Sequence, residues 1–172
     1  TSTDVSHHAG QLERTGEAIV GGLRVRAPML QIETVAAGGG SICRFDGMRL
    51  RVRPESAGAN PGPACYRRGG PLTITDCNLF LGRLQPAHFP SLFGPNGDQP
   101  IDLEVVRAQL TALAGEVGST PEALAAGFID IANDAMASAI RTISVERGHD
   151  LARYALASFG GAGGQHACAI AD

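Results

Sequence analysis

The hydrophobic period of this chain changes once, near Pro100, and that change limits the folds open to it. Before it, apolar and polar residues alternate, as in Met48, Leu50 and Val52 against Arg49, Arg51 and Arg53. A period of two turns one face of a strand toward a core. After it, apolar residues return every three or four positions, first as Leu103, Val106, Leu110 and Leu113, then as Leu124, Phe128, Ile131, Ala135, Ala139 and Ile143. That spacing belongs to helices with one buried face. The chain therefore reads as one α/β domain over residues 1-172, with strands and loops over 1-100 and helices plus one strand over 101-172.

Strand-forming residues cluster at Ala18 to Val20, Leu23 to Arg26, Leu30 to Val35 and Met48 to Arg53. Asp46-Gly47 lies between the runs Ile42 to Phe45 and Met48 to Val52, which predicts a hairpin closed by a two-residue turn. Residues 55 to 71 and 86 to 100 are rich in proline and glycine and read as ordered loops, with a short strand near Leu72 to Thr75 between them. Asp102 is placed to cap the first helix, which stops near Gly118. Ser119 with Glu122 suggests a capping box for the second, with Pro121 in its first turn and its end near Gly148. Tyr154 to Phe159 then predicts a buried strand that turns through Gly160-Gly161-Ala162-Gly163-Gly164 into a terminal helix.

With 172 residues, 44% hydrophobic and 18% charged, the chain has the length and apolar content of one globular domain. A formal net charge of -3 provides no broad basic field, which argues against nucleic acid or an anionic membrane as partner. No lysine occurs, so the phosphate-contacting lysine of a P-loop and a Schiff-base nucleophile are both excluded. Cys43, Cys65, Cys77 and Cys168 have no zinc-site spacing and read as reduced thiols. No apolar run reaches the roughly 18 residues that span a bilayer, and no signal core opens the chain, so a cytoplasmic location is expected. The chain opens on Thr1 without Met and closes within an apparent helix. Both ends read as cuts, which would leave sheet edges open and favour homo-oligomers.

The segment Phe159 to His166 is the strongest candidate binding element. Glycines after a strand let a ligand approach the backbone, and a helix start offers free N–H groups to phosphate. A tight turn used only for packing fits the same residues. A dinucleotide fingerprint fails, because counting from Gly161 its third glycine falls on His166. Thr1, Ser2, Thr3 and Asp4 set hydroxyls and a carboxylate together, which suits phosphate and Mg²⁺-bound water. A solvated terminus fits them as well. The histidines show no metal-ligand spacing and read as surface or capping groups, so no metal site is expected. Cys65 lacks a paired base and reads as buried structure, and Glu146 to Asp150 reads as a charged helix end with Gly148 as its stop.

Several blocks in one order resemble the hydantoinase A / 5-oxoprolinase family: Thr1 to Ser6, Thr34 to Ser41, Pro54 to Tyr66, Thr73 to Arg83, Arg147 to Asp150 and Phe159 to Ala169. Phe93-Gly94-Pro95 with Gln99-Pro100 resembles the 5-oxoprolinase branch. The resemblance implies half of an actin-like ATPase of the sugar and acetate kinase type, ribonuclease-H-like and three-layered, with a β-rich N-terminal portion. It implies ATP and Mg²⁺ as cofactors, with Thr1 to Asp4 on the phosphate side and Gly160 to Gly164 on the adenosine side. It further implies ATP-dependent opening of a cyclic amide, 5-oxoproline or a hydantoin, together with a hydantoinase-B-type subunit or region. The chain by itself is expected to be inactive. Acetone-carboxylase-type chemistry and a non-catalytic module on the same scaffold remain as alternatives.

Overall fold

The computed structural model describes residues 2–172; Thr1, and the side chain of Arg53, lie outside the described residues. Three antiparallel pairs carry the strands: β1 (Thr3–Val5) with β4 (Glu33–Val35), β2 (Arg14–Val20) with β3 (Leu23–Leu30), and β5 (Ser41–Phe45) with β6 (Leu50–Ser56). The mixed α/β composition agrees with the sequence, and among the described residues the strands form these three separate pairs. Strand β1 was hidden from periodicity because three residues cannot display a period; its pairing puts Thr3 opposite Val35 and Asp4 opposite Thr34.

The hairpin at Asp46 forms with a wider turn than predicted. Phe45 pairs with Leu50, so residues 46 to 49 all lie in the loop. The Asp46 carboxylate accepts from Met48 N at 3.1 Å and Arg49 N at 3.0 Å, and Arg51 Nε donates to it at 2.7 Å. A side chain that satisfies two backbone donors stabilises the longer loop over the two-residue one. Met48 is consequently left exposed instead of joining the half-buried face.

The strand predicted at Leu72 to Thr75 contributes one bridge, Thr73 to Ile42, and then gives way to helix α1 (Ile74–Phe80). A capping box decides this. The Asp76 carboxylate accepts from Thr73 N at 2.8 Å while the Thr73 hydroxyl faces Asp76 N at 3.5 Å, so local hydrogen bonds reward the helical turn. Helix α2 (Leu103–Val117) starts on Asp102 and ends on left-handed Gly118, as predicted. Helix α3 (Pro121–Ile143) is capped by Thr120, one residue later than predicted, with Pro121 first in the helix.

The core lies where α1, α2 and α3 meet, with Ile74, Leu79, Val106, Leu110, Leu124, Phe128 and Ile129 fully or almost fully buried. Helix α3 also packs against β4 and β6, so its buried face is wider than one stripe and includes Ala132, Asn133 and Met136. Contrary to the sequence reading, residues 121–147 are long and apolar enough by composition alone to cross a membrane. The core uses that apolarity for packing. Hairpin β2–β3 stands apart with Ile19, Val20 and Leu23 exposed. The predicted buried strand at Tyr154 to Phe159 does not form; these residues are exposed, with Phe159 92% accessible. A strand exists only with a ladder partner, and among the described residues none pairs there. The terminal helix α4 (Ala167–Ala171) follows the glycine turn, as expected.

Candidate functional site

Strand β1 and the glycine turn come from opposite ends of the chain, and one segment between them brings them together. Strand β4 runs into Ala36 to Gly40, and the Thr3 hydroxyl donates to Ala37 O at 2.7 Å, tying β1 to that segment. Two residues on, a Cβ placed on Gly39 would lie 3.7 Å from Ala162 Cβ and 2.7 Å from Thr75 Oγ1. Gly39 has no side chain, which leaves Thr75 Oγ1 undisturbed where the backbone passes between α1 and the glycine turn. Thr75 N donates to Gly39 O at 2.7 Å, so the start of α1 fixes the segment from the other side.

At the outer end of this neighbourhood, Asp4 accepts from Thr34 Oγ1 at 2.6 Å and from Ser2 Oγ at 3.4 Å. Asp4, Gly160, Gly161 and Gly164 are exposed, while Ala162 and Gly163 are half-buried. Ser2, Asp4 and Thr34 thus gather oxygen groups on the exposed side of β1, and the glycine turn offers bare backbone; each suits a phosphorylated ligand more than an apolar one.

Below the glycine turn lies a polar contact that departs from the expected surface or capping histidines: His166 stands at the N-cap of α4, but its side chain makes no cap bond. His166 is 1% exposed; its Nδ1 lies 2.7 Å from Asn133 Oδ1 on α3, and its Nε2 lies 3.5 Å from Asn78 Nδ2 on α1. Amide oxygens only accept, so Nδ1 carries the proton and Nε2 receives the Asn78 N–H. Burial, and after it the charge of Arg83, lowers the His166 pKa and keeps the ring neutral. Spacing rules for metal ligands could not flag a histidine that works through helices 33 and 88 positions away in sequence.

A second histidine is also buried. His7 Nδ1 lies 2.8 Å and His149 Nε2 3.3 Å from Glu13 Oε1, and Arg147 Nη1 lies 3.4 Å from Glu13 Oε2. These groups, principally the His7 hydrogen bond, lower the Glu13 pKa. Although His7, Glu13 and His149 are close enough to one another to suggest a metal site, the two rings are stacked with centroids 3.9 Å apart and planes 20° apart. Imidazole lone pairs lie in the ring plane, and planes stacked in this way do not converge about 2 Å from both nitrogens, where an ion must sit. The cluster instead clamps the loop after β1 to the charged segment Arg147 to His149; Gly148, at φ 84°, closes the short turn Val145–Arg147, because α3 has already stopped at Ile143, short of the end predicted near Gly148.

Cys65 is 1% exposed, and burial followed by the nearby Asp76 raises its thiol pKa far above the range of a nucleophile, in agreement with a structural role. Asp76 also organises this region, accepting from Ala64 N at 3.0 Å and Cys65 N at 2.9 Å. Of the predicted binding residues, Thr3 and Ala162 meet the Ala37 to Gly39 segment, while Ser2 and Asp4 stand beside it. Gly160, Gly161, Gly163 and Gly164 continue the turn next to Ala162. Thr1 lies outside the described residues. Sequence reasoning assigned no separate role to Gly39, Thr75, Asn78 or Asn133; the run Gly38-Gly39-Gly40 was the available signal.

A family model described as hydantoinase/oxoprolinase matches residues 1–172. The 5-oxoprolinase PfmaA of Pestalotiopsis fici is 52% identical over 100% of the chain, and the 5-oxoprolinase of Saccharomyces cerevisiae is 50% identical over 100%. The chain spans 14% of the length of each of these relatives. Among solved structures, the ATP-dependent caprolactamase of Pseudomonas jessenii has a TM-score of 0.83 and 38% identity, over 99% of this chain and 25% of that one. A nucleotide-free acetone carboxylase has a TM-score of 0.82 and 28% identity, over 96% of this chain and 23% of that one. With the family model matched from end to end and half of all positions shared with 5-oxoprolinases, the chain belongs to the hydantoinase/oxoprolinase family.

Proposed function

We propose that this chain supplies nucleotide-binding elements to an ATP-dependent cyclic amide hydrolase, with 5-oxo-L-proline as the favoured substrate. The observation that carries the proposal is the convergence of Thr3 and Ala162 on the Ala37 to Gly39 segment. Support for the reaction comes from relatives called 5-oxoprolinases and from a caprolactamase called ATP-dependent. Resonance makes an amide carbonyl a poor electrophile, and phosphorylation of its oxygen creates a leaving group for ring opening. In this reading the hydroxyls of Ser2 and Thr3 and the free backbone of Gly160 to Gly164 orient the phosphoryl donor.

Magnesium fits the Asp4 side of the site, where a carboxylate and two hydroxyls provide hard oxygen donors to an ion that keeps much of its water. Bound there, it would neutralise phosphate charge. The finer architecture we assign is one ribonuclease-H-like half of an actin-like ATPase in a cytoplasmic enzyme. A hydantoinase-B-type subunit or region completes ring hydrolysis; the name of a relative, caprolactamase subunit alpha, is in keeping with such a division. The likeness to acetone carboxylase supports a second reading, ATP use with a different carbonyl substrate.

Titration of the full-length protein with MgATP, followed by amide exchange at Gly160 to Gly164, tests the nucleotide reading. Heat of binding and protection of the turn are expected, and neither appearing overturns it. Turnover of 5-oxoproline but not of a hydantoin, caprolactam or acetone is the expected substrate pattern.

A further inference from the structure

We infer that His166 is a positioning residue for the glycine turn, holding it against α1 and α3 through Asn78 and Asn133; this rests on the nucleotide reading of the turn. The turn has few supports of its own. A Cβ added at Gly160, Gly161 or Gly164 would meet nothing within 4 Å, and the residues before the turn are exposed and unpaired in any strand. His166 closes the last hydrogen bond of the turn, its N donating to Gly163 O at 3.1 Å, and its carbonyl then accepts the first bond of α4, from Ile170 N at 3.0 Å. Its ring enters the core while its backbone ends the turn.

Both ring nitrogens are committed, each to a different helix. Asn133 is 8% exposed and Asn78 fully buried, so neither partner exchanges freely with water. Two directional bonds from one planar ring fix its orientation as well as its depth, which an apolar side chain of equal volume could not do. Helix α1 also carries Thr75, whose N–H holds Gly39. One helix thus sets both walls of the neighbourhood: Thr75 places the Ala37 to Gly39 segment, and Asn78, through His166, places the glycine turn.

The test uses the full-length protein with His166→Phe, which keeps an aromatic ring, somewhat larger than imidazole, and removes both bonds. Amide exchange at Gly160 to Gly164 without nucleotide should rise about tenfold or more, because a buried bond pair no longer resists opening. ATP affinity should weaken about tenfold, with kcat at saturating ATP little altered. His166→Gln, which again offers one donor and one acceptor, should recover most of both effects. Asn133→Ala, on a different helix, should reproduce the loosened turn if the phenylalanine variant fails to fold. Exchange at the turn unchanged in both His166→Phe and Asn133→Ala overturns the inference. A loosened turn with unchanged ATP affinity supports the positioning role and overturns the nucleotide reading of the turn.

Discussion

Asp76 shows how much one buried side chain can decide. It is fully buried and accepts from four donors: the backbone N–H groups of Ala64, Cys65 and Thr73 and the Thr73 hydroxyl. Asp76→Ala leaves those N–H groups buried without partners and should destabilise the chain by about 3 kcal/mol or more, measured by urea unfolding. The capping pattern Thr73 to Asp76 stands in the sequence, where a short strand near Leu72 to Thr75 was expected instead. His166 belongs at the same scale. Its pKa is lowered on folding, so above about 6.5 both states are neutral and its bonds contribute fully. As pH falls below that value the unfolded chain takes up the proton first, and stability declines by at most about 1.4 kcal/mol per pH unit. His166→Gln should flatten this decline between pH 7 and 5, as followed by thermal unfolding; an unchanged slope would assign it to other groups.

Among the elements, α2 and α3 were legible because caps and periodicity agree closely: Asp102 and Gly118 bound one, and Pro121 opens the other, whose cap falls on Thr120, one residue after the Ser119 read from the sequence. Elements with little period of their own were not. Strand β1 has three residues, and the loop Ala36 to Gly40 shows no pattern beyond its glycines. That loop nevertheless links the two predicted halves of the site. Gly39→Ala would press on Thr75 Oγ1, which can rotate, and reach ordinary contact with Ala162. The expected outcome is a fold kept within about 1 kcal/mol and an ATP affinity reduced roughly fivefold or more in the full-length protein, by calorimetry. Undiminished affinity would remove this loop from the site. Gly70→Ala makes the contrast, since its Cβ would fall 1.8 Å from Gly62 O, a rigid backbone atom; that substitution should disrupt the loop outright.

For the whole molecule, one core holds α1, α2, α3 and β5 together with the loop between β6 and α1, while hairpin β2–β3 and residues 154 to 160 lie outside it. Ile19 is 78% and Leu23 73% exposed, and among the described residues β2 and β3 pair only with each other. Apolar side chains beside open strand edges favour association. The chain alone should therefore form dimers or larger species in light scattering, and Ile19→Glu with Leu23→Glu should return it toward monomer. A monodisperse unmodified chain would speak against it.

Local chemistry was enough to determine the α/β class, the two long helices, the hairpin at Asp46 and the glycine turn, because caps, turns and periodicity act over a few residues. Three outcomes needed the tertiary structure: the burial of His7 and His166, the meeting of Gly39 with Ala162, and the failure of residues 154 to 159 to form a strand. Each depends on a partner far away in the chain, and a hydrogen bond or a close approach between distant segments leaves no spacing in either one.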